Sequence, residues 1–298
     1  MGAAQPPQRK KDKRRYHHGQ HSCYYGYHGF YGDGREARVG AEEDPRLRLL
    51  EADWFRDKKV LDVGCGAGHL TLAVARKFNP SHILGVELDE QLVHAAKQNI
   101  RHFLSHDLVV TERNGPTPRA LSLLNSFPLS LRASRGPLSA PPLLLPPSSS
   151  SSRFPNNVTF IQVSLILFSS RRDVSRTNIR YDVIVCLGVT KWVHLHSGDV
   201  GVVRLFTRAY QSLSPGGLFI LEAQPWSSYS RSRGASVRAH TPTCTVTVRL
   251  KPEQFTSYLT EAVGFSSYRL LTHTGMNTAY TGNQRPVYLF HKGPAQRK

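Results

Sequence analysis

A glycine-rich segment that follows an apolar strand constrains the fold of this chain more than any other feature. The strand pattern Val60-Leu61-Asp62-Val63 leads into three glycines at alternate positions, Gly64, Gly66 and Gly68, and a helical pattern begins at His69. Glycine permits the sharp bend and the close approach of a ligand that such a turn needs. The following helix presents unpaired N–H groups and the positive end of its dipole to the turn. The segment therefore predicts a βα unit that binds a ligand at its turn.

An acidic residue ends the second predicted strand and indicates what kind of ligand binds. Ile83-Leu84-Gly85-Val86 is apolar and leads directly into Glu87. A carboxylate at this place accepts hydrogen bonds from the hydroxyls of a ribose, which indicates a nucleoside-bearing cofactor. The spacing G-x-G-x-G differs from the G-x-G-x-x-G of dinucleotide dehydrogenases and is typical of S-adenosylmethionine-dependent methyltransferases. A methyltransferase is therefore favoured over a dehydrogenase, and over a tight turn that binds no ligand.

The rest of the chain predicts a mostly parallel, twisted α/β sheet around this unit. The further predicted elements are a helix over 90–104, strands over 158–161, 181–187 and 218–222, helices over 200–213 and 251–262, and strands over 264–272 and 286–291. Strands that alternate with helices favour parallel pairing, whereas the last two are expected to form a C-terminal antiparallel hairpin. This layout is that of the Rossmann-like, S-adenosylmethionine-dependent methyltransferase fold.

Two segments lack the pattern of a packed domain. Residues 1–22 are polar and contain Arg9-Lys10-Lys11-Asp12-Lys13-Arg14-Arg15, which predicts a basic disordered arm. Residues 23–298 then form the methyltransferase domain. Within it, proline and serine dominate from about 107 to 157 and no apolar period survives, so we expect a disordered insertion there.

The charge of the chain indicates a polyanionic partner. Its 298 residues carry a formal net charge of +18, which favours nucleic acid as that partner. No apolar run approaches the roughly 20 residues of a membrane-spanning helix. The four cysteines lack the spacing of a zinc site, so no metal is expected. The aromatic segment Tyr24-Tyr25-Gly26-Tyr27-His28 beside the basic arm is suited to stacking on RNA bases, or to packing on the core as a lid.

Several longer motifs in the C-terminal half narrow the fold class to one family. They are Leu187-Gly188-Val189-Thr190-Lys191-Trp192-Val193-His194-Leu195, Gln224-Pro225-Trp226-Ser227-Ser228-Tyr229, Leu250-Lys251-Pro252-Glu253-Gln254-Phe255, Val263-Gly264-Phe265-Ser266-Ser267-Tyr268 and Gln284-Arg285-Pro286-Val287-Tyr288-Leu289-Phe290-His291-Lys292. Together with the Tyr-Tyr-Gly-Tyr segment, these motifs resemble the bicoid-interacting family of RNA methyltransferases. The resemblance extends from about Tyr24 to Lys292.

The resemblance implies a reaction and a cellular setting. It implies methyl transfer from S-adenosylmethionine to the 5′ γ-phosphate of a small nuclear RNA such as 7SK, which would cap and stabilise that RNA. A phosphate oxygen is already anionic at neutral pH, so the reaction needs precise positioning more than an acid–base pair. The resemblance also implies a monomeric nuclear enzyme, with a La-related protein as its partner in a ribonucleoprotein and with no membrane contact.

The resemblance also assigns roles to individual residues. The cofactor is expected to contact Tyr25, Arg46, Gly64, Cys65, Gly66, Gly68, Glu87, Leu88 and Leu187. Arg46 is suited to a bidentate contact with the methionine carboxylate. Lys191, Trp192 and His194 are the candidate catalytic residues, which would recognise the triphosphate end. RNA is expected to contact Tyr24, His28, Lys191, Arg285 and Lys292.

Alternatives remain open at this stage. Where the family has Gly-Asn-Tyr after the third strand, this chain has Val163-Ser164-Leu165. A catalytically weakened RNA-binding scaffold of a small nuclear ribonucleoprotein is therefore one alternative, and cofactor affinity distinguishes it from an enzyme. A methyltransferase directed at the 5′ monophosphate of small RNAs is another. Trp192 and His194 would also suit packing in the core, as a plug and as a hydrogen-bonded partner.

Overall fold

The computed structural model describes residues 44–114, 153–163, 180–229, 248–271 and 285–294, which form an α/β structure around one seven-stranded sheet. The strands are β1 (Lys59–Val63), β2 (His82–Glu87), β3 (Val158–Gln162), β4 (Tyr181–Leu187), β5 (Leu213–Glu222), β6 (Ser267–Leu271) and β7 (Val287–His291). Their order across the sheet is β3-β2-β1-β4-β5-β7-β6.

The strand directions define where a ligand can bind. The first five strands are parallel, whereas β7 lies antiparallel to both β5 and β6. The chain moves outward from β1 in one direction through β2 and β3, and in the other through β4 and β5. Open α/β sheets bind ligands beyond the carboxyl ends of the strands at such a switch point. The predicted mostly parallel sheet with a C-terminal antiparallel hairpin is confirmed.

Helices cover both faces of the sheet. They are α1 (Ala52–Phe55), α2 (His69–Lys77), α3 (Glu90–Asn114), α4 (Thr190–Ser212) and α5 (Phe255–Tyr258), the last continuing as a π-helical turn over Leu259–Val263; 3₁₀ turns lie at Pro45–Leu49, Trp226–Ser228 and Pro252–Gln254. The central strands are apolar on both faces, as buried parallel strands require. No helix in the described part of the chain is long and apolar enough to cross a membrane.

Two buried clusters hold these layers together. On one face, Leu72 of α2 and Ala96 of α3 pack in a cluster with Phe160 of the sheet. On the other, Phe206 of α4 and Phe255 of α5 make an edge-to-face contact with ring centroids 5.0 Å apart. Packing on both faces fixes the carboxyl edge of the sheet as a rigid platform for side chains.

The predicted boundaries differ from the structure at two helices. The helix expected over 90–104 extends to Asn114, and the helix expected over 200–213 is only the second half of α4, which already begins at Thr190. Gly198 interrupts α4 with φ 63° and ψ −163°, a conformation essentially restricted to glycine. This break divides α4 into two halves, and the sequence analysis predicted only the second half as a helix.

Both ends of the expected insertion, about 107–157, contain ordered elements that the sequence analysis did not predict. The last turns of α3 occupy its first residues, and a turn over 153–156 leads into β3. Asn157 is buried, and its Nδ2 donates to the carbonyl oxygens of Ala75 at 3.0 Å and Pro80 at 3.2 Å. Residues 115–152, like the arm at 1–22, lie outside the described residues, and their predicted disorder stays a prediction.

Candidate active site

The glycine turn after β1 contains one position that faces open space. Gly64, Gly66 and Gly68 have φ values of 75°, 56° and 78°. A Cβ on Gly64 would lie 2.5 Å from Cγ2 of Val189, and one on Gly68 would lie 2.6 Å from Cζ of Phe160, so these two glycines allow close packing. A Cβ on Gly66 would meet nothing within 4 Å. Gly66 is therefore the position in the turn where a ligand can approach the backbone.

Glu87 connects the end of β2 to this turn. Its Oε2 accepts a hydrogen bond from the Gly66 N–H at 2.9 Å, and its Oε1 accepts one from Leu88 N–H at 2.7 Å. Burial raises the pKa of the Glu87 carboxyl, while its hydrogen bonds to backbone N–H groups oppose that rise. A carboxylate can accept about four hydrogen bonds, so these oxygens retain capacity for a ribose hydroxyl beside Gly66.

Asn99 supports the turn from α3, and further expected cofactor contacts lie within the turn or at the ends of the neighbouring strands. Asn99 of α3 is buried and donates from Nδ2 to the carbonyl oxygen of Ala67 at 2.9 Å. Cys65 is half-buried, and burial raises the pKa of its thiol, which keeps it protonated. Leu187 is the last residue of β4 and is buried, and Leu88, which follows Glu87, is half-buried. Sequence reasoning missed Asn99, because nothing in the pattern of a long helix marks one polar residue as a contact of a distant turn.

Asp62 is a buried carboxyl beneath the turn. Its Oδ2 accepts a hydrogen bond from the Thr71 hydroxyl at 2.6 Å. Burial raises the pKa of Asp62 to about 6, and this effect exceeds the opposing effects of Thr71 and of the Arg46 charge. At neutral pH, the folded protein therefore holds this carboxylate at an energetic cost.

Asp62→Asn is expected to increase stability at pH 7 by on the order of 2 kcal/mol, because it removes that cost and keeps an oxygen acceptor for Thr71. Because the pKa of Asp62 is higher in the folded state, the proton on this carboxyl stabilises the folded protein. This stabilisation is fully present below the ordinary pKa of an aspartate and is lost as the pH rises through about 6. Urea unfolding between pH 4 and pH 7 measures this effect. The parent should lose stability over this interval relative to Asp62→Asn, whereas the exposed Asp53→Asn should follow the parent. Parallel profiles for all three proteins would contradict the prediction.

Four side chains of alternating charge form a cluster at the end of β5, which we call the charge cluster: Asp44, Arg46, Glu222 and Arg285. Arg46 binds Asp44 through Nε at 3.0 Å and Nη2 at 2.7 Å, and binds Oε2 of Glu222 through Nη1 at 2.9 Å. The other oxygen of Glu222 accepts from Nη1 of Arg285 at 3.2 Å. Burial alone would lower the pKa of Arg46, but Asp44 and Glu222 raise it, so the guanidinium stays charged. Two acids and two bases balance each other in this cluster.

This arrangement changes the expectation for Arg46. The side chain is buried, and Asp44 already occupies its bidentate edge. A bidentate contact with a methionine carboxylate would therefore require an ion pair to open. Sequence reasoning missed Asp44 and Glu222; a charged residue at the end of an apolar strand, as at Glu222, was the available signal.

The start of α4 lies at the carboxyl end of β4, beside the glycine turn. Gln224 fixes it, because its Nε2 donates to the Gly188 carbonyl and its Oε1 accepts from the Lys191 N–H at 3.3 Å. The Lys191 side chain is buried, and its Nζ lies 5.1 Å from the centroid of the half-buried Trp192 ring. The structure thus brings Lys191 and Trp192 to the predicted side of the sheet.

His194 does not occupy the position that was expected of a catalytic residue. Its side chain is fully buried. Nδ1 lies 3.0 Å from the hydroxyl of Tyr229, and Nε2 lies 3.3 Å from Oδ1 of Asp199. The prediction that His194 contacts the substrate is therefore wrong in this structure, because Tyr229 and Asp199 lie against its two ring nitrogens.

The two basic residues of the terminal motif lie at opposite edges of the sheet. Arg285 lies at the carboxyl edge near Gly188, within the charge cluster. Lys292 lies at the amino edge, where its Nζ donates to the carbonyl oxygens of Tyr210 at 2.6 Å and Leu213 at 2.8 Å. Lys292 therefore lies away from the glycine turn, and its expected contact with RNA stays a prediction. The expected contacts of Tyr24, Tyr25 and His28 lie outside the described residues. In the described ranges, no cluster of three metal-ligating side chains occurs.

The strand order, the open glycine turn and the acid after β2 define the class as the S-adenosylmethionine-dependent methyltransferase fold. A methyltransferase domain model matches residues 55–114, and a model described as bicoid-interacting protein 3 matches residues 181–292. The chain is 45% identical over 297 residues to the human 7SK snRNA methylphosphate capping enzyme, covering 95% of this chain and 40% of that protein. It is 32% identical over 286 residues to a probable RNA methyltransferase of Arabidopsis thaliana, covering 95% and 83%. The chain belongs to the bicoid-interacting protein 3 family of RNA methyltransferases.

Other similarities are more distant. The U6 snRNA methylphosphate capping enzyme Amus of Drosophila melanogaster is 27% identical over 288 residues, covering 96% of this chain and 78% of that protein. Among solved structures, the N-methyltransferase NodS of Bradyrhizobium japonicum aligns with a TM-score of 0.45 and 12% identity, over 83% of this chain and 92% of that chain. The chain spans about two-fifths of the length of its human and mouse relatives.

Proposed function

We propose that this chain transfers a methyl group from S-adenosylmethionine to the 5′ γ-phosphate of a small nuclear RNA of the 7SK kind. The observation that carries the proposal is the open space at Gly66, with the carboxylate of Glu87 beside it, at the switch point of the sheet. The human and Drosophila relatives are named as methylphosphate capping enzymes of 7SK and U6 snRNA, which supports the choice of acceptor.

The residues present fit S-adenosylmethionine. Gly66 leaves the space that a side chain would fill, and Glu87 offers acceptors for a ribose. The remaining residues that we propose hold the cofactor are Tyr25, Arg46, Gly64, Cys65, Gly68, Leu88 and Leu187. Bound there, S-adenosylmethionine would supply an electrophilic methyl group. Arg46 would hold its carboxylate by exchanging one of the ion pairs of the charge cluster.

The residues at the ends of β4 and β7 would hold the RNA end. Lys191 and Arg285 supply positive charge, and Trp192 supplies an aromatic face at the same edge. A phosphate oxygen is anionic at neutral pH, so these residues need only hold it in line for attack and need not remove a proton. Holding reactants in the right geometry accounts for several kcal/mol of a reaction barrier, roughly 7–11 in favourable cases. The burial of His194 agrees with a reaction that uses no general base.

Labelled S-adenosylmethionine and three matched RNAs test the proposal. The RNAs carry a 5′ triphosphate, monophosphate or hydroxyl and are otherwise identical. We expect label on the triphosphate RNA, and we expect Lys191→Ala to reduce that labelling more than it reduces cofactor affinity. Equal label on all three would place the methyl group on a base or ribose and contradict the proposal. Label on the monophosphate RNA alone would favour the monophosphate-directed alternative, and RNA binding without label would favour the scaffold.

We also propose a setting for this activity: a monomer in the nucleus, within a ribonucleoprotein that contains a La-related protein. The net charge of +18 and the basic cluster at residues 9–15 support an RNA partner and a nuclear location. Fluorescence imaging tests the location, and light scattering tests the monomer. Purification of the tagged chain from nuclei, with and without ribonuclease, tests the La-related partner.

A further inference from the structure

The break in α4 places a carboxylate where three segments of the chain meet. Gly198 adopts a conformation essentially restricted to glycine, and Asp199 follows directly. The Asp199 carboxylate accepts hydrogen bonds from the N–H groups of Arg249 at 2.8 Å and Leu250 at 3.3 Å. The same carboxylate lies 3.3 Å from Nε2 of His194, one turn before the break. Asp199 therefore joins the first half of α4 to the segment that precedes α5.

His194 continues this connection to the segment after β5. Burial lowers the pKa of His194, although Asp199 opposes the shift, so the ring is neutral. Its contacts define the tautomer that we assign: the Tyr229 hydroxyl donates to Nδ1 at 3.0 Å, and Nε2 carries the hydrogen that faces Asp199. Nδ1 thus has a hydrogen-bond partner on the segment after β5, whereas Nε2 lies close to Asp199 without hydrogen-bond geometry.

Tyr229 closes the arrangement. Its ring is buried against Trp226, with centroids 4.7 Å apart. The backbone N–H of Trp226 donates to Oε1 of Glu253 at 3.3 Å, which returns to the segment before α5. The contacts from Asp199 through His194, Tyr229 and Trp226 to Glu253 therefore form a closed circuit. It connects the first half of α4, the segment after β5 and the segment before α5.

A polar arrangement of this kind specifies geometry better than apolar packing does. Buried polar groups are costly unless they are paired, so the hydrogen bonds of Asp199, Tyr229 and Glu253 favour the one arrangement of the three segments in which they form. Phe206 and Phe255 already supply apolar packing between α4 and α5. The polar contacts add a fixed orientation for the first half of α4, which carries Lys191 and Trp192.

We infer that His194, Tyr229 and Asp199 are positioning residues, which hold the first turn of α4 in the orientation that recognises a 5′-triphosphate RNA end. The inference rests on the proposed function, because it gives Lys191 and Trp192 the RNA end as their ligand. Gly66 and Glu87 are held by their own hydrogen bond between the glycine turn and the end of β2, so cofactor affinity should change less than the preference for the RNA end.

Tyr229→Phe tests the inference because it removes one hydroxyl and keeps the ring. Tyr258→Phe is the matched control, since Tyr258 is a half-buried tyrosine of α5 whose ring lies 6.5 Å from that of Phe206. The full chain is titrated with fluorescent RNAs that carry a 5′ triphosphate or a 5′ hydroxyl, and separately with S-adenosylhomocysteine. We expect Tyr229→Phe to reduce the preference for the triphosphate end by about tenfold, with cofactor affinity unchanged within about twofold. Tyr258→Phe should match the parent in both.

A second variant guards against general destabilisation. Asp199→Asn keeps one side-chain oxygen for the backbone N–H groups and removes the charge that faces His194, so it should shift the same preference in the same direction. If the parent prefers the triphosphate end and Tyr229→Phe keeps that preference, the inference is overturned while the proposed function stands. It is also overturned if RNA and cofactor affinities fall together with the melting temperature. A parent without any preference would overturn the proposed function and this inference together.

Discussion

Gly66→Arg is expected to abolish cofactor binding while the protein stays folded. A Cβ at Gly66 meets nothing within 4 Å, so the protein itself accommodates the new side chain, which then fills the space that a ligand needs. The residue has φ 56°, so any replacement also carries about 1–2 kcal/mol of backbone strain. We expect S-adenosylhomocysteine affinity to fall by roughly 100-fold or more, which corresponds to about 2.7 kcal/mol. Isothermal titration measures it.

Gly216→Arg is a matched control for this substitution. Gly216 has φ 75°, and a Cβ there also meets nothing within 4 Å, but it lies near the start of β5 at the amino edge of the sheet. Both variants therefore carry the same kind of strain, and only Gly66→Arg should lose S-adenosylhomocysteine binding. If both variants lose binding equally, strain rather than site occupancy is responsible. If neither does, the cofactor lies elsewhere.

The features that the sequence predicted are those that depend on neighbouring residues. The glycine turn and Glu87 each follow directly from a strand that ends, and a parallel sheet brings such ends together. The same argument placed Lys191 and Trp192 correctly after β4. The sequence predicted space for a ligand at this turn, but the difference between the open Gly66 and the closely packed Gly64 and Gly68 depends on side chains of other elements.

The features that the sequence did not predict depend on distant partners or on strand direction. His194 is buried because it meets Tyr229, 35 residues away, and Arg46 meets Glu222, 176 residues away. Arg285 and Lys292 flank β7 and so lie at opposite edges of the sheet, and the antiparallel direction of β7 relative to β5 places Arg285 at the carboxyl edge. A motif groups residues by their order in the chain, whereas a site groups them by position in space.

Glu222→Gln is expected to lower the free energy of unfolding by about 3–5 kcal/mol. Glu222 is fully buried and binds Arg46 at 2.9 Å and Arg285 at 3.2 Å, so the substitution leaves two guanidinium groups without this carboxylate. Removing one partner from a buried ion cluster is costly because the remaining charge stays desolvated. Urea unfolding at pH 7 measures the loss. Glu51→Gln is the control, since Glu51 forms an exposed pair with Arg269 at 3.0 Å and should contribute less than about 1 kcal/mol.

The double variant Glu222→Gln/Arg285→Gln separates the ion cluster from simple loss of packing. Removing Arg285 together with Glu222 also removes one of the two charges that the single variant leaves uncompensated. The double variant should therefore be more stable than the sum of the two single changes predicts, with an interaction energy of about 1–3 kcal/mol. Strictly additive losses would show that Glu222 stabilises the protein through packing alone. A Glu222→Gln variant as stable as the parent would show that the two arginines find other partners, and that Arg46 can leave Glu222 at little cost to bind a cofactor carboxylate.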